Sequence, residues 1–196
     1  GAIQQHDLNG DGNKDLFDTG LLWLTENGKF VESRNNLPAF MLENLNADGV
    51  DVGIFVHDHA VGDLNGDGFN DIFMPNTTPV SSQNNMYKFF MLNDGNGNFT
   101  NTSFEVGHSA YFATATTIAD FDGDGYGDIA LGWSDYAYID LGGNSVGGIY
   151  WGNAETDYTK EYTALPPGYY EHNIVFDMQA TDINADGLLD LVLANT

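Results

Sequence analysis

Four nine-residue segments of the chain place acidic or amide side chains at alternate positions. They are DLNGDGNKD at 7–15, DLNGDGFND at 63–71, DFDGDGYGD at 120–128 and DINADGLLD at 182–190. Positions 1, 3, 5 and 9 are Asp or Asn in every segment, and the glycine at position 6 permits a sharp bend. Calcium takes roughly six to eight oxygen ligands in a flexible arrangement. This spacing therefore predicts four calcium-binding loops.

Each loop offers four side-chain ligands and the backbone carbonyl of position 7. The side-chain ligands are Asp7, Asn9, Asp11, Asp15, Asp63, Asn65, Asp67, Asp71, Asp120, Asp122, Asp124, Asp128, Asp182, Asn184, Asp186 and Asp190. The carbonyl ligands are those of Asn13, Phe69, Tyr126 and Leu188. Magnesium fits this set less well because it demands octahedral geometry and keeps its water. The loop at 120–128 has four carboxylates, and we expect it to bind calcium most tightly.

Two other interpretations of the loops are weaker. A turn without metal would gather three or four carboxylates in nine residues, and their mutual repulsion would destabilise the loop with no compensating interaction. An EF-hand would need a Glu at position 12. That position holds Asp18, Met74, Leu131 and Leu193. The residues that follow are rich in strand formers and do not form an amphipathic helix, which also disfavours an EF-hand.

The segments between the loops indicate the elements that position them. The loops start 56, 57 and 62 residues apart, and a short apolar run follows each, as at 72–74 and 129–131. An aromatic or apolar segment then ends in a polar glycine turn, and a further short segment follows, as at 29–32, 99–104 and 158–162. Short runs of this composition, bounded by Gly, Asn and Asp, are typical of β-strands. Each repeat therefore predicts about four short antiparallel strands.

An all-β fold built from propeller blades follows from this repeat. A four-stranded sheet cannot bury both faces alone, and stacking such sheets around an axis solves the problem. A β-sandwich is the alternative, but sandwiches rarely repeat one loop so faithfully. Residues 1–196 hold about three and a half blades, whereas closed propellers use roughly four to eight. We expect one propeller segment of a longer chain with roughly six to eight blades, or pairing with a neighbouring chain.

The loop pattern Asp-x-Asn/Asp-x-Asp-Gly-x-x-Asp, followed by an apolar strand, resembles the FG-GAP/VCBS repeats of integrin α-subunit-like β-propellers. The turn at 93–99 is similar to the Gly/Asn-rich hairpin of VCBS repeats, and the resemblance covers nearly the whole chain. It implies that each loop joins the innermost strand of a blade to the second strand. It also implies structural calcium in each blade and an extracellular or cell-surface setting. The segments at 74–76 and 130–132 match the family's strand ends only loosely, so integrin function is not implied.

Composition excludes several classes of function. The 196 residues include 5 Lys and Arg against 29 Asp and Glu, for a net charge of −24. Such a chain repels nucleic acid and lacks the basic stripe that anionic membranes attract. The apolar run at 21–24 is far too short to cross a bilayer, so we predict no membrane insertion. The absence of cysteine excludes disulfides and thiol catalysis.

Seven further side chains are candidates for ligand contact, because histidine supports metal and acid–base chemistry and aromatic rings stack on sugars. They are His57, His59, His108, His172, Trp133, Tyr136 and Tyr138. Alternation predicts that His57 and His59 share one face of a strand that leads into the second loop. The two remaining histidines precede the third and fourth loops, so the four could form one cluster. The three aromatics fall in a Gly/Asp/Ser-rich stretch.

These features predict a calcium-binding extracellular propeller that acts as a scaffold or adhesion module and contacts a glycan or a protein. The expected partners are about four calcium ions and either the remaining blades or a neighbouring chain. No catalytic residue is assigned, and the sequence favours a module without enzymatic activity. Two alternatives stay open: the propeller domain of a polysaccharide lyase or hydrolase, and a building block of a surface layer or filament.

Overall fold

The computed structural model describes residues 4–39, 41, 56–75, 88–102, 113–133, 147–166 and 174–195. These residues form the strands β1 (Gln4–His6), β2 (Asp15–Asp18), β3 (Leu21–Glu26), β4 (Lys29–Glu32), β5 (Ala60–Gly62), β6 (Asp71–Pro75), β7 (Lys88–Asn93), β8 (Phe99–Thr102), β9 (Ala113–Ala119), β10 (Asp128–Trp133), β11 (Gly147–Tyr150), β12 (Tyr162–Ala164), β13 (Val175–Thr181) and β14 (Asp190–Asn195). A 3-10 helix spans Arg34–Asn36. Within the described ranges, no helix has the length and apolar character needed to cross a membrane.

The strands form three four-stranded sheets and one two-stranded sheet, each an antiparallel meander. Their orders are β1-β2-β3-β4, β5-β6-β7-β8, β9-β10-β11-β12 and β13-β14. A predicted loop joins the first strand to the second in every sheet. The all-β fold and the division into about three and a half blades are therefore confirmed. We name the sheets blades one to four in chain order.

Burial along the second strands shows how the blades stack. In β2, residues at one face are buried and those at the other are half-buried, whereas all residues of β6 and β10 are buried. Blades two and three thus have neighbours on both faces. The final strand β14 is half-buried or exposed throughout. The stack therefore has two uncovered ends among the described residues.

Three apolar clusters fill the spaces between neighbouring blades. Blades one and two share Leu8, Phe17, Leu22, Leu24, Leu37, Met41, Val61, Ile72, Met74, Met91 and Phe99. Blades two and three share Ala60, Leu64, Phe73, Phe90, Ala113, Ile118, Ile129, Leu131, Trp133, Tyr150 and Tyr158. The smallest cluster, between blades three and four, contains Ala115, Ala130, Val175 and Met178. Alternate residues of β6 and β10 therefore face opposite neighbours, as the two-residue period of a strand requires.

The strand predicted at 158–162 is wrong in position, because β12 begins only at Tyr162. Asn153 Oδ1 accepts hydrogen bonds from the backbone N–H groups of Glu155 and Asp157, at 3.0 and 3.2 Å, which shape a turn instead of a strand. The side chain of Tyr158 is fully buried. The connection from β11 to β12 thus spans 151–161, and it is the longest of the three connections between third and fourth strands.

Candidate metal centres

Position 1 of each loop fixes the turn that follows it. In the first loop, the Oδ1 and Oδ2 atoms of Asp7 accept hydrogen bonds from Gly10 N and Gly12 N, both at 2.8 Å. The carboxylates of Asp63 and Asp120 likewise accept hydrogen bonds from the glycine N–H groups at positions 4 and 6 of their own loops. The glycine at position 6 has a φ of 83° to 93° in all four loops, which is strained for a residue with a side chain. The glycine is therefore required by the turn itself.

The side chains at positions 3 and 5 also accept hydrogen bonds from the backbone of their own loop. Asn9 Oδ1 accepts a hydrogen bond from Asp11 N at 3.1 Å, and Asp11 Oδ1 accepts one from Asn13 N at 2.8 Å. The equivalent bonds recur in the other three loops. The backbone thus gathers oxygens from positions 1, 3 and 5 on one side of each loop without any contribution from distant residues.

The third loop brings three carboxylates close enough to share one cation. One oxygen each from Asp120, Asp122 and Asp124 lies within 4.8 Å of the others. A calcium–oxygen distance of roughly 2.4 Å places two ligands of one ion at most about twice that far apart. The donor set and its spacing therefore fit calcium. In the other loops position 3 is Asn, and among the described residues no second group of three acidic or histidine ligands is this close.

The aspartate at position 9 connects its loop to the end of the third strand of the blade, or in blade three to Gly152, just after that strand. Asp71 is fully buried, and its Oδ2 accepts a hydrogen bond from Leu64 N at 2.9 Å while its Oδ1 accepts one from Asn93 N at 2.8 Å. Asp15 and Asp128 make the equivalent pair of bonds. The loop pattern in the sequence does not predict this structural role. Coordination of calcium by the position 9 carboxylates stays a prediction.

Burial shifts the titration of these position 9 carboxyl groups. It raises the pKa of Asp71 to about 7 and that of Asp128 to about 6, because an ionised carboxylate loses hydration there. The backbone N–H donors oppose this shift, and the neighbouring loop carboxylates add to it. Burial also raises the pKa of Asp15. A cation in the loop would favour the ionised form and so counteract the shift.

Contacts between neighbouring loops place them at the same end of adjacent blades. Asn70 Nδ2 donates a hydrogen bond to Asp7 O at 3.0 Å, which joins the second loop to the first. Gly127 of the third loop lies so close to the second that a Cβ atom there would be 2.4 Å from Asp63 O. These contacts align the first three candidate metal centres along one end of the stack.

The structure does not support the predicted arrangement of His57 and His59. Strand β5 begins at Ala60, so neither histidine lies on it, and His57 is exposed whereas His59 is fully buried. The His59 ring packs edge-on against Phe17 with ring centroids 4.9 Å apart, and neither ring nitrogen has a hydrogen-bond partner among the described residues. His108 and His172 lie outside the described residues. A ligand-binding role for these histidines stays a prediction.

One of the three aromatic residues predicted to contact a ligand lies in the core instead. Trp133 is the last residue of β10, is only 7% exposed and belongs to the cluster between blades two and three. It serves the core because the strand extends one residue further than its Gly/Ser-rich surroundings suggest. Tyr136 and Tyr138 lie outside the described residues. A third tryptophan, the half-buried Trp151, lines a cavity of about 390 Å³ together with Asp122 and Asp124.

Comparison with known families agrees with this architecture. Residues 63–131 match the model of the FG-GAP-like repeat, a span that runs from the second loop into β10. A search of curated proteins found no match. FG-GAP-like repeats indicate a β-propeller-like adhesion or scaffold module. The resemblance to FG-GAP-like repeats is thus confirmed over residues 63–131.

Proposed function

We propose that each of the four loops binds one calcium ion, and that the ions neutralise and rigidify the connection between the first two strands of a blade. The observation that carries this proposal is the convergence of Asp120, Asp122 and Asp124 within 4.8 Å. Like charges at that distance repel, and a divalent cation converts the repulsion into attraction. The carbonyl of Tyr126 and the carboxylate of Asp128 complete the proposed set in this loop.

We further propose that the chain works outside the cell as a scaffold or adhesion module that contacts a glycan or a protein. Calcium sites of extracellular modules bind in the range of roughly 10⁻⁴ to 10⁻³ M, and a surface with a net charge of −24 suits calcium-rich surroundings. The FG-GAP-like repeat favours the same setting. Further blades, or a neighbouring chain, would cover the ends of the stack.

A thermal melt in excess EGTA and again in millimolar calcium tests the calcium proposal. We expect a clear rise in Tm with calcium, because a ligand that binds only the folded state stabilises it by mass action. Isothermal titration calorimetry should give about four sites per chain. Identical melting curves in both conditions, together with no heat of binding, would refute the calcium proposal.

A matched pair of substitutions tests which loop binds most tightly. Asp122→Asn gives the third loop the side-chain set of the second, and Asn65→Asp gives the second loop the set of the third. We expect Asp122→Asn to weaken the tightest site on the order of tenfold and Asn65→Asp to strengthen its own loop, because carboxylate count tunes calcium affinity. Competition titration with a chromophoric chelator measures both. Opposite changes, or none, would contradict the order of affinities.

A further inference from the structure

A buried side-chain amide joins the first loop to the second. Asn93, at the end of β7, donates hydrogen bonds from its Nδ2 to Leu8 O at 2.8 Å and to Asn70 O at 2.9 Å. Leu8 is position 2 of the first loop, and Asn70 is position 8 of the second. One side chain thus bonds to the backbones of two loops that belong to different blades.

Tyr158 makes the same connection between the second loop and the third. Its buried hydroxyl lies 3.3 Å from Leu64 O and 2.9 Å from Gly127 O. Leu64 is position 2 of the second loop, and Gly127 is position 8 of the third. The ring of Tyr158 stacks on Phe90 of β7 with centroids 5.7 Å apart. An amide and a phenol therefore join the same two loop positions in successive blades, and we call these contacts the Asn93 bridge and the Tyr158 bridge.

Both bridged positions lie next to proposed calcium ligands. Position 2 stands between the ligands at positions 1 and 3, and position 8 stands between the carbonyl ligand at position 7 and the aspartate at position 9. Buried carbonyls need hydrogen-bond donors, but that need does not require one donor to serve two loops. The bridges therefore join the loops at the points where a backbone shift moves ligands in both.

The second and third loops also pack directly on each other. A Cβ atom on Gly66, position 4 of the second loop, would be 2.9 Å from Cε1 of Tyr126 and 3.2 Å from Gly125 O. Tyr126 is the residue whose carbonyl is the proposed ligand of the third loop. Packing this close transmits displacements from one loop to the other.

We infer that the Asn93 and Tyr158 bridges couple neighbouring loops, so that calcium binding to one loop raises the calcium affinity of the next. The carboxylates of an empty loop repel one another, and a bound ion orders the loop. A bridge passes part of that order to the neighbouring loop, which then loses less conformational entropy when its own ion binds. Linkage makes the effect reciprocal. The inference rests on the proposed calcium binding and adds an interaction between its sites.

Direct electrostatics between the ions acts with the opposite sign. A calcium ion in one loop places two positive charges beside the next loop and lowers its affinity for a second cation. Mobile ions screen this repulsion beyond about 8 Å at physiological ionic strength, whereas they do not weaken a buried hydrogen bond in this way. The sign of the coupling therefore separates the bridges from simple repulsion between charges.

An NMR titration with calcium measures the affinity of each loop separately. The reporters are the amides of the position 6 glycines, which donate to the position 1 aspartates: Gly12, Gly68, Gly125 and Gly187. Asp67→Ala removes a ligand of the second loop. We expect the first and third loops then to lose calcium affinity by roughly fivefold or more. Charge alone predicts a gain, because the disabled loop lacks the two charges of the ion and loses one negative charge.

Tyr158→Phe removes the hydroxyl and keeps the ring on Phe90. In a chain with this change, Asp67→Ala should weaken the third loop by about twofold or less, the remainder coming from the direct packing of the loops. The first loop should still lose its full affinity, because the Asn93 bridge is unchanged. Tyr162→Phe is the matched control, since it removes a hydroxyl 3.4 Å from Gly147 O of β11 in the same blade. It should leave the loss at the third loop as in wild type.

Two results would overturn the inference. One is a third loop whose calcium affinity does not fall with Asp67→Ala, and the other is a loss of equal size with and without the Tyr158 hydroxyl. A purely structural hydroxyl would lower Tm in chelator and leave the coupling unchanged. Glycine amides that do not respond to calcium would refute calcium binding itself. If the Asp67→Ala chain does not fold, Asp67→Asn replaces it, because the amide keeps an oxygen for Phe69 N.

Discussion

Replacing Asp71 with alanine is expected to lower the free energy of unfolding by about 3–5 kcal/mol. The carboxylate is fully buried and accepts hydrogen bonds from Leu64 N and Asn93 N. The substitution leaves both N–H groups without an acceptor inside the protein, and each costs about 1–3 kcal/mol. The loop would also lose its connection to β7. Urea denaturation in excess chelator measures the loss free of any contribution from metal.

Asp190→Ala is the matched control, because Asp190 holds the same loop position in the two-stranded sheet β13-β14. It is half-buried, and within the described ranges its carboxylate accepts one hydrogen bond, from Ile183 N. We expect a loss of about 1 kcal/mol or less. The loss of stability for Asp71→Asn should fall between those of the two alanine variants, since the amide keeps one oxygen acceptor. Equal losses for the two alanine variants would contradict the structural role assigned to position 9.

His59 is expected to make the protein less stable as the pH falls from about 6.5 to about 4. Burial lowers the pKa of this histidine to about 4, and the nearby carboxylate of Asp18 opposes that shift only in part. The unfolded chain takes up the proton near pH 6.5, while the folded chain resists it until about pH 4. Stability is therefore lost across that window, by up to about 3 kcal/mol at its lower end.

His59→Leu and His59→Gln separate the titration from the burial of polar atoms. Neither variant titrates at this position, so the stability of each relative to wild type should rise as the pH falls from 6.5 to 4. His59→Leu should also be more stable than wild type at pH 7 by about 1–3 kcal/mol, because it removes two buried nitrogens that have no hydrogen-bond partner in the described part of the chain. Guanidinium denaturation at several pH values measures both effects. A constant difference from wild type across the window would refute the assignment.

The repeat made the blades predictable, because the same local chemistry recurs four times. Strand pairs and loop positions follow from residues close in sequence, and glycine at position 6 indicates the turn directly. The role of Asp71 was not predictable in the same way. A buried carboxylate can coordinate a metal or accept backbone hydrogen bonds, and only the register of β7 brings Asn93 N to 2.8 Å from it. Contacts between strands decide between the two roles.

Errors in the sequence analysis occur where burial depends on a neighbouring blade. His57 and His59 were assigned by alternation, which fails because the strand begins after them, at Ala60. Tyr158 is predicted to lie in a strand, yet it precedes β12 and its hydroxyl lies 3.3 Å from Leu64 O in the second loop. Trp133 lies against blade two at the end of β10. None of these positions has a local signal, since the covering surface comes from residues far away in the chain.

The alignment of the loops at one end of the stack also makes the charge distribution of the molecule uneven. Thirteen of the 29 acidic residues belong to the four loops, and contacts such as Asn70 to Asp7 hold the first three loops side by side. Charge gathered at one end gives the calcium-free protein a large electric dipole moment, which orients it in the field of a charged surface before any contact forms, and bound calcium would remove most of that moment. Added salt would weaken that orientation, because mobile ions screen the field beyond about 8 Å at physiological strength.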